Sequence, residues 1–277
     1  MPEGNAKDCK GFLNWALPLM DMRPEGYRKV RKQVCKRINT RLKELGLGDH
    51  RQYREYLLAH PGEWEVLDQL LHISISRFFR DQDSWEELKN NLLPHLARRA
   101  GKESRTLRCW SAGCASGEEP YSLALLWRHR LGPEFPDLDI EVIATDADPH
   151  LLERAQKACY PGGNVQHVPH DWLKRSFRKQ DGAYCLLNEP KRMVDFRLQD
   201  IREQMPEGPF DVVFCKNLAG MYFAQGLATE VFRRISGRLR DGGILLLGAK
   251  EPFPIEHLPD IREECPPLRI YRKADRK

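Results

Sequence analysis

The strongest constraint on the fold is an alternation of strand-like and helix-like runs that begins at Thr106. Short apolar runs typical of strands are separated by amphipathic runs typical of helices. Such alternation predicts an α/β fold, in which a parallel sheet is covered by helices on both faces. The strand-like runs, with a last short one near the C-terminus, are TLRCWSA, IEVIATD, FDVVFCKN, GGILLLGAK and LRIYRK.

Residues 183–200 interrupt this rhythm. They read as two short strands joined by a turn at Asn188–Pro190. We therefore expect a small β-hairpin insertion over about 183–198 within the α/β domain.

The residues before Thr106 predict helices. In residues 30–45, valines, an isoleucine and leucines recur three and four positions apart, which is typical of an amphipathic helix. Further helical runs follow, one of them broken at Pro94. We expect an all-helical N-terminal domain at 1–75, linker helices at 76–105 and an α/β domain at 106–277.

The net charge of +5 is unevenly distributed. Residues 28–43 carry eight basic residues and no acidic one. This local field favours an acidic partner. A nucleic acid is an alternative, but no aromatic residue interleaves the basic ones for base stacking. A solvated helix face is the third interpretation.

The turn after the first strand, Gly113–Gly117, predicts a ligand site. In an open α/β sheet, ligands bind beyond the carboxyl ends of the strands, and small residues let the backbone approach them. The spacing G-x-x-x-G does not fit the G-x-G-x-x-G of dinucleotide sites. GILLLGAK likewise lacks the adjacent Gly-Lys of a phosphate loop.

S-adenosylmethionine is the third interpretation of this turn. It carries a positive sulfonium and no phosphate, so its site tolerates carboxylates. Glu118 follows the turn, and Asp146 ends the next strand, where an acid can accept ribose hydroxyls. The alternative is that Glu118 only favours a helix N-terminus and that Asp146 only ends a strand.

Nearly the whole chain resembles the chemotaxis receptor methyltransferase (CheR) family. The most specific match is WSAGCASGEEPYSLALL. Other similar segments are SISRFFRD, ATDADPHLLERAQKACYP, FDVVFCKN, LRDGGILLLGAKEPF and the basic helix with LKELGLGDHRQYREYL. The resemblance implies a class I methyltransferase (Rossmann-like) fold, S-adenosylmethionine as cofactor, and methyl transfer to glutamate carboxylates of a protein acceptor of the chemotaxis-receptor type.

The resemblance also implies site residues. Arg80, Asn217 and Tyr222 would be the catalytic set. The cofactor-binding residues would come from strand ends and from the segment before the sheet: Ser74, Ser76, Arg80, Ala112, Gly113, Glu118, Asp146, Ala147, Asp200, Ile201, Asn217 and Leu218. Within that set, Arg80 would pair with the cofactor's carboxylate, Asp146 would hold the ribose, and Asp200 would accept from the adenine amino group.

Arg37 and Arg41 lie one turn apart, off the apolar stripe of the basic helix. We expect both to be exposed and to guide an acidic protein acceptor to the cofactor.

Departures from the family pattern fall on the acceptor side. Lys216 stands where the family has arginine, Tyr222 is five positions beyond Asn217 instead of four, and the ending GHSE is GAKE. Alternatives are therefore a methyltransferase with another acceptor, either a small molecule or another protein, and a non-catalytic cofactor sensor.

Cellular context comes from what the sequence lacks. No apolar run approaches the roughly 20 residues of a membrane span, and the N-terminal residues do not resemble a signal peptide. We expect a cytoplasmic monomer without membrane insertion, whose eight cysteines are reduced and mostly buried. His167 and His170 lack further ligands at metal spacing, so no metal is predicted.

Overall fold

The structure is a computed structural model that describes residues 8–275. It divides into two compact units. Unit 1 comprises residues up to 74 together with 219–228, and unit 2 comprises 75–218 and the residues from 229 onward. The boundary that the sequence predicts near residue 75 does not account for residues 219–228, which belong to unit 1.

The elements are numbered in chain order. The helices of the described residues are α1 (Cys9–Leu19), α2 (Arg31–Glu44), α3 (His50–Ala59), α4 (Glu63–Leu71), α5 (Gln82–Glu87), α6 (Leu93–Lys102), α7 (Glu118–Leu126), α8 (Pro149–Lys157), α9 (His170–Ser176), α10 (Asn188–Lys191), α11 (Ala219–Tyr222) and α12 (Gln225–Arg238). The strands are β1 (Leu107–Ala112), β2 (Ile140–Asp146), β3 (Cys159–Tyr160), β4 (Phe177–Gln180), β5 (Ala183–Leu186), β6 (Val194–Leu198), β7 (Phe210–Cys215), β8 (Leu239–Leu247), β9 (Ile261–Cys265) and β10 (Ile270–Lys273).

Unit 1 is helical, and its basic helix α2 forms as its periodicity predicts. Val34, Ile38 and Leu42 are buried along one face. The neighbouring helix α3 begins at an aspartate cap, because the Asp49 carboxylate accepts the N–H of Gln52. In residues 8–275, no helix combines the length and the apolar character that crossing a membrane requires.

Unit 2 is built on a seven-stranded sheet in the order β6-β2-β1-β7-β8-β10-β9. The first five strands pair in parallel, whereas β10 pairs antiparallel with β8 and with β9. The class I methyltransferase (Rossmann-like) sheet expected from the sequence is therefore confirmed. The strand order reverses beside β1, so β1 and β7 flank the switch point at which such sheets bind ligands.

The central strands are apolar because helices cover both of their faces. Every residue of β7 is buried, and Trp110 of β1 packs on Phe210 with ring centroids 5.7 Å apart. The segment expected as linker helices also packs in unit 2, where Leu88, Leu92 and Leu96 join the same core as β1. Because β1, β2 and β7 are parallel, their carboxyl ends lie at one edge of the sheet, where the loops that follow them can meet.

The expected break at Pro94 is wrong. Helical structure continues from Gln82 to Lys102 through a wider π-helical turn at Leu88–Leu92. Pro94 stands in the first turn of α6, where its missing N–H is tolerated.

The expected pairing of residues 183–198 is also wrong. The hairpin is formed by β4 and β5, whereas β6 pairs in parallel with β2 in the main sheet. Its turn is Asp181–Gly182, and both residues have a positive φ, as a two-residue hairpin turn requires. Asn188–Pro190 lies in the short helix α10. The small sheet is completed by β3, which pairs with β5.

The expectation that all cysteines are reduced thiols is wrong for four of them. Disulfides join Cys9 to Cys35 in unit 1 and Cys159 to Cys185 in unit 2. In each pair the partners are 26 positions apart, and only the packing of α1 on α2 or of β3 on β5 brings them together. The described cysteines outside these disulfides are Cys109, Cys114, Cys215 and Cys265, of which all but the last are buried.

Candidate functional site

The turn that follows β1 has a backbone that only small residues allow. Gly113 and Gly117 both have a positive φ. A Cβ on Gly117 would lie 2.9 Å from the Cβ of Ala155. The Gly113 N–H donates to the carbonyl of Thr145 at 2.8 Å, which fixes the turn beside the end of β2. The turn at the sheet edge therefore has the small-residue, positive-φ backbone on which a close approach to a ligand would depend.

Asp146 closes the other side of this turn. Its Oδ2 accepts the N–H of Ala115 at 2.8 Å, and its Oδ1 accepts the N–H of Asp148 at 3.0 Å. Ala147 lies between these two aspartates, and Ala112 is the buried last residue of β1. The two backbone donors orient the Asp146 carboxylate at the strand end.

Glu118, the first residue of α7, is a buried carboxylate with only 1% of its surface exposed. It accepts hydrogen bonds from the Ser116 hydroxyl and, at 2.7 Å, from the Asn164 amide. In the described residues 8–275, no lysine, arginine or histidine forms an ion pair with it. A buried carboxylate is expensive unless a cation or several donors compensate it. The site therefore suits a ligand that brings a positive charge.

Asn164 connects segment 75–81 to Glu118. The Asn164 amide donates to the carbonyl of Ser76 at 3.3 Å as well as to Glu118. The N–H of Phe79 donates to the Ser122 hydroxyl on α7. Ser76 and Glu118 thus share one partner, which brings two of the predicted cofactor residues together.

Arg80 is exposed, and its guanidinium donates to the carbonyl of Ile75 at 2.7 Å. The next residue, Asp81, is in the left-handed conformation and pairs with Lys216 at 2.8 Å. Lys216, the substitution for the family's arginine, therefore ties the end of β7 to the turn that carries Arg80.

Glu119 lies beside this ion pair and accepts the Ser111 hydroxyl at 2.8 Å. Burial raises the pKa of Glu119 above its ordinary value, and the Lys216 ammonium opposes that rise. Burial likewise raises the pKa of the Cys114 thiol in the turn. A protonated, enclosed thiol is a poor nucleophile, so Cys114 is a packing residue.

The loop after β7 is held by a residue that the sequence did not single out. Glu251 is 1% exposed, and its carboxylate accepts the N–H groups of Asn217, Leu218 and Gly248. Asn217 has a φ of 56°. In the sequence, position 251 is distinguished only as the last residue of the altered GAKE ending. Its partner loop lies 34 positions earlier, so spacing gave no signal.

Asp200 lies just beyond the end of β6, and its carboxylate is hydrogen-bonded within the protein. Both of its oxygens accept hydrogen bonds from the Arg202 guanidinium, at 2.9 and 3.0 Å from Nε. Ile201 beside it is buried. An adenine amino group would have to share Asp200 with Arg202.

Four predicted residues belong to unit 1. Ser74 is its last residue before unit 2 and is half-buried, and Tyr222 in α11 packs against Tyr27 with ring centroids 4.9 Å apart. Arg37 is exposed but donates to the carbonyls of Leu70 and His72 at the end of α4. The last of the four is Arg41.

The expectation that Arg41 is exposed is wrong. Its guanidinium donates two hydrogen bonds, at 2.9 and 2.8 Å, to the carboxylate of buried Glu63. The Tyr53 hydroxyl donates to the same carboxylate at 2.9 Å. The Arg41 guanidinium is the largest influence on Glu63 and lowers its pKa. Arg41 is thus committed to the packing of α2 on α4.

A separate cavity of about 200 Å³ lies in unit 2. Its walls include the aromatic rings of Phe79, Trp85 and Trp172 and the cationic side chains of Lys89 and Arg130. No predicted site residue lines it. The candidate site is therefore identified by the chemistry at the carboxyl ends of β1, β2 and β7 and not by this cavity.

Comparisons with known proteins show which family and which relatives this chain resembles. The family described as CheR methyltransferase, SAM binding domain, matches residues 74–265. A probable chemotaxis protein methyltransferase from Rhizobium etli is 31% identical over 225 residues, which cover 79% of this chain and 83% of that protein. Chemotaxis protein methyltransferase 2 from Pseudomonas aeruginosa is 31% identical over 226 residues, covering 79% and 78%. The chemotaxis protein methyltransferase from Escherichia coli is 31% identical over 231 residues, covering 80% and 77%.

Proposed function

Because the chain belongs to the CheR methyltransferase family, we propose that this S-adenosylmethionine-dependent methyltransferase acts on glutamate side chains. The acceptor would be an acidic, helical protein of the chemotaxis-receptor type. Relatives named chemotaxis protein methyltransferase support this acceptor class.

The observation that carries the proposal is the buried carboxylate of Glu118. It lies directly after the Gly113–Gly117 turn and has no ion-pair partner among residues 8–275, which favours a cationic ligand group. The turn itself, residues 113–119, contains no lysine or arginine that would hold a phosphate. S-adenosylmethionine fits this donor set, since it carries an ammonium and a sulfonium and no phosphate. When bound, it supplies a methyl group that its sulfonium activates toward nucleophiles.

In the proposed reaction the chain's residues act by position. Asp146 would hold the ribose, Glu118 would balance positive charge, and Asn217 and Leu218 would border the reacting end beside Gly113. A glutamate carboxylate has a pKa of about 4.3 and is already the nucleophile at pH 7. No general base is then needed, and alignment of the two reactants supplies the rate increase.

The exposed basic face of α2 supports an acidic acceptor. Lys32, Lys36 and Lys43 are exposed, and in residues 8–275 none of them forms a salt bridge. Their field would raise the local concentration of an acidic helix. We keep Arg37 in this proposed acceptor surface, and we keep Arg41 only as the residue that fixes the helix beneath it. A cytoplasmic monomer is the state that we propose for the enzyme.

A methyl-transfer assay tests the proposal. The protein is incubated with tritiated S-adenosylmethionine and either a receptor cytoplasmic domain or the same domain with its methylated glutamates replaced by alanine. We expect label only on the first domain, and the label should be released by alkali as methyl esters are. Alkali-stable label would indicate nitrogen, carbon or ether chemistry. Label that appears only on small molecules in a cell lysate would indicate a different acceptor class.

A further inference from the structure

In unit 2, the Glu251 carboxylate joins the loops after β7 and β8, and a third loop packs against the first of these. The carboxylate of Glu251 accepts N–H groups from Asn217 and Leu218, which follow β7, and from Gly248, which follows β8. The distances to the last two donors are 2.9 and 3.1 Å. Glu251 thereby ties the ends of these neighbouring strands together through a single side-chain group.

The third loop joins through Leu218. A Cβ on Gly113 would lie 2.7 Å from Cδ2 of Leu218, so the leucine side chain lies directly against the turn that follows β1. Asn217 packs against Gly248 in the same way, because a Cβ on Gly248 would lie 2.7 Å from the Cγ and Oδ1 of Asn217. The loops after β1, β7 and β8 therefore fit together through two glycines and two side chains.

Asn217 has a backbone conformation that its surroundings help to stabilise. Its φ of 56° lies in the left-handed region, which residues other than glycine adopt less readily, although asparagine tolerates it better than most. A carboxylate that accepts two successive N–H groups favours that turn, because hydrogen bonds to a charged acceptor are the stronger ones.

We propose that Glu251 is a positioning residue for the cofactor site, which sets the Asn217–Leu218 turn so that Leu218 closes on the Gly113 turn. The Glu251 carboxylate touches neither the cofactor nor the acceptor in this role. It acts through the backbone of Asn217 and Leu218. The inference rests on the proposed function, because it takes the Gly113 turn to be the cofactor turn.

The test is calorimetric binding of S-adenosylhomocysteine to Glu251→Gln, which keeps the shape of the side chain but replaces one acceptor oxygen with an N–H donor. We expect the Kd to rise on the order of tenfold or more, since at least one charged hydrogen bond is lost. The matched control is Glu256→Gln, an exposed glutamate five positions along that is expected to bind as the wild type does.

Thermal unfolding separates positioning from general stability. A Glu251→Gln protein with a lower midpoint but a wild-type Kd would overturn the inference, and so would a variant unchanged in both. If Glu251→Gln does not fold, Gly248→Ala answers the same question with the carboxylate intact, because its methyl group pushes on Asn217. The same weakening is expected, and an unchanged Kd overturns the inference. Failure of the wild-type protein to bind would instead contradict the proposed function.

Discussion

The N–H of Ala115 and the Oδ2 of Asp146 are 2.8 Å apart, although the two residues are separated by 31 positions in the sequence. Ala115 has a φ of 53°, so this hydrogen bond holds a strained turn. Asp146 therefore shapes the loop after β1 in addition to presenting its carboxylate at the end of β2. One carboxylate links the two loops on which the cofactor proposal depends.

Asp146→Ala is expected to weaken S-adenosylhomocysteine binding by about 10- to 100-fold. The variant loses a charged acceptor, and hydrogen bonds to charged groups contribute about 1.5–3 kcal/mol. Calorimetry measures the Kd, and far-ultraviolet circular dichroism verifies folding. Asp195→Ala, an exposed residue of the adjacent strand β6, is the control and should bind normally. Normal binding by Asp146→Ala would mean that the residue only terminates its strand.

The sequence alone predicts the parallel sheet and the loops that follow its first two strands. Strand and helix periods alternate cleanly from Thr106 onward, and parallel strands place their carboxyl ends together, so the sequence alone predicts that Gly113 and Asp146 lie close together. The hairpin is not predicted correctly although its signal is present. Asp181–Gly182 is a strong two-residue turn signal, whereas the predicted turn at Asn188–Pro190 is a short helix.

Arg41→Gln is expected to lower the free energy of unfolding by about 2 kcal/mol at pH 7. Loss of one partner of a buried ion pair costs about 3–5 kcal/mol, and the value is smaller here because a quarter of the Arg41 side chain is exposed. Urea denaturation measures it. Lys32→Gln, an exposed cation of the same helix, should change the free energy little. A wild-type midpoint for Arg41→Gln would contradict the importance of the Glu63 pair.

The same pair predicts a pH dependence. The pKa of Glu63 is lowered in the folded protein, chiefly by Arg41. Its contribution is therefore fully present above the unfolded pKa of about 4.3 and is lost as the pH falls through the lower folded value. Between pH 6 and pH 3 the wild type should lose more stability than Arg41→Gln does. Equal losses in the two proteins would show that Glu63 does not titrate in this way.

Cys9→Ser is expected to lower the free energy of unfolding by about 3 kcal/mol in oxidising buffer, because the disulfide with Cys35 closes a loop of 26 positions. In the presence of a reductant, wild type and variant should unfold alike. Cys265→Ser, a free thiol, is the control. A wild-type midpoint that does not respond to reductant would show that neither disulfide stabilises the protein.

Contacts between distant segments could not be predicted from the sequence. Arg41 has the position of an exposed residue on its helix, and only the packing of α4 brings Glu63 under it. Glu251 is 34 positions from the turn it holds, and their contact depends on the register of β7 and β8. Periodicity shows which face of an element is buried, but it does not show which polar side chain of another element meets that face.

The last prediction concerns the exposed basic face of α2, where Lys32 and Lys36 lie one turn apart. Exposed charges act mainly on encounter and are screened beyond about 8–10 Å at physiological salt. Lys32→Glu with Lys36→Glu should therefore slow methylation of a protein acceptor severalfold at low salt, and the difference should shrink as salt is added. S-adenosylhomocysteine affinity should not change. Charge reversal at exposed Arg51 and Arg54 of α3 is the control for net charge. Because a solvated helix face would give equal rates at every ionic strength, that result would favour an acceptor that does not depend on α2.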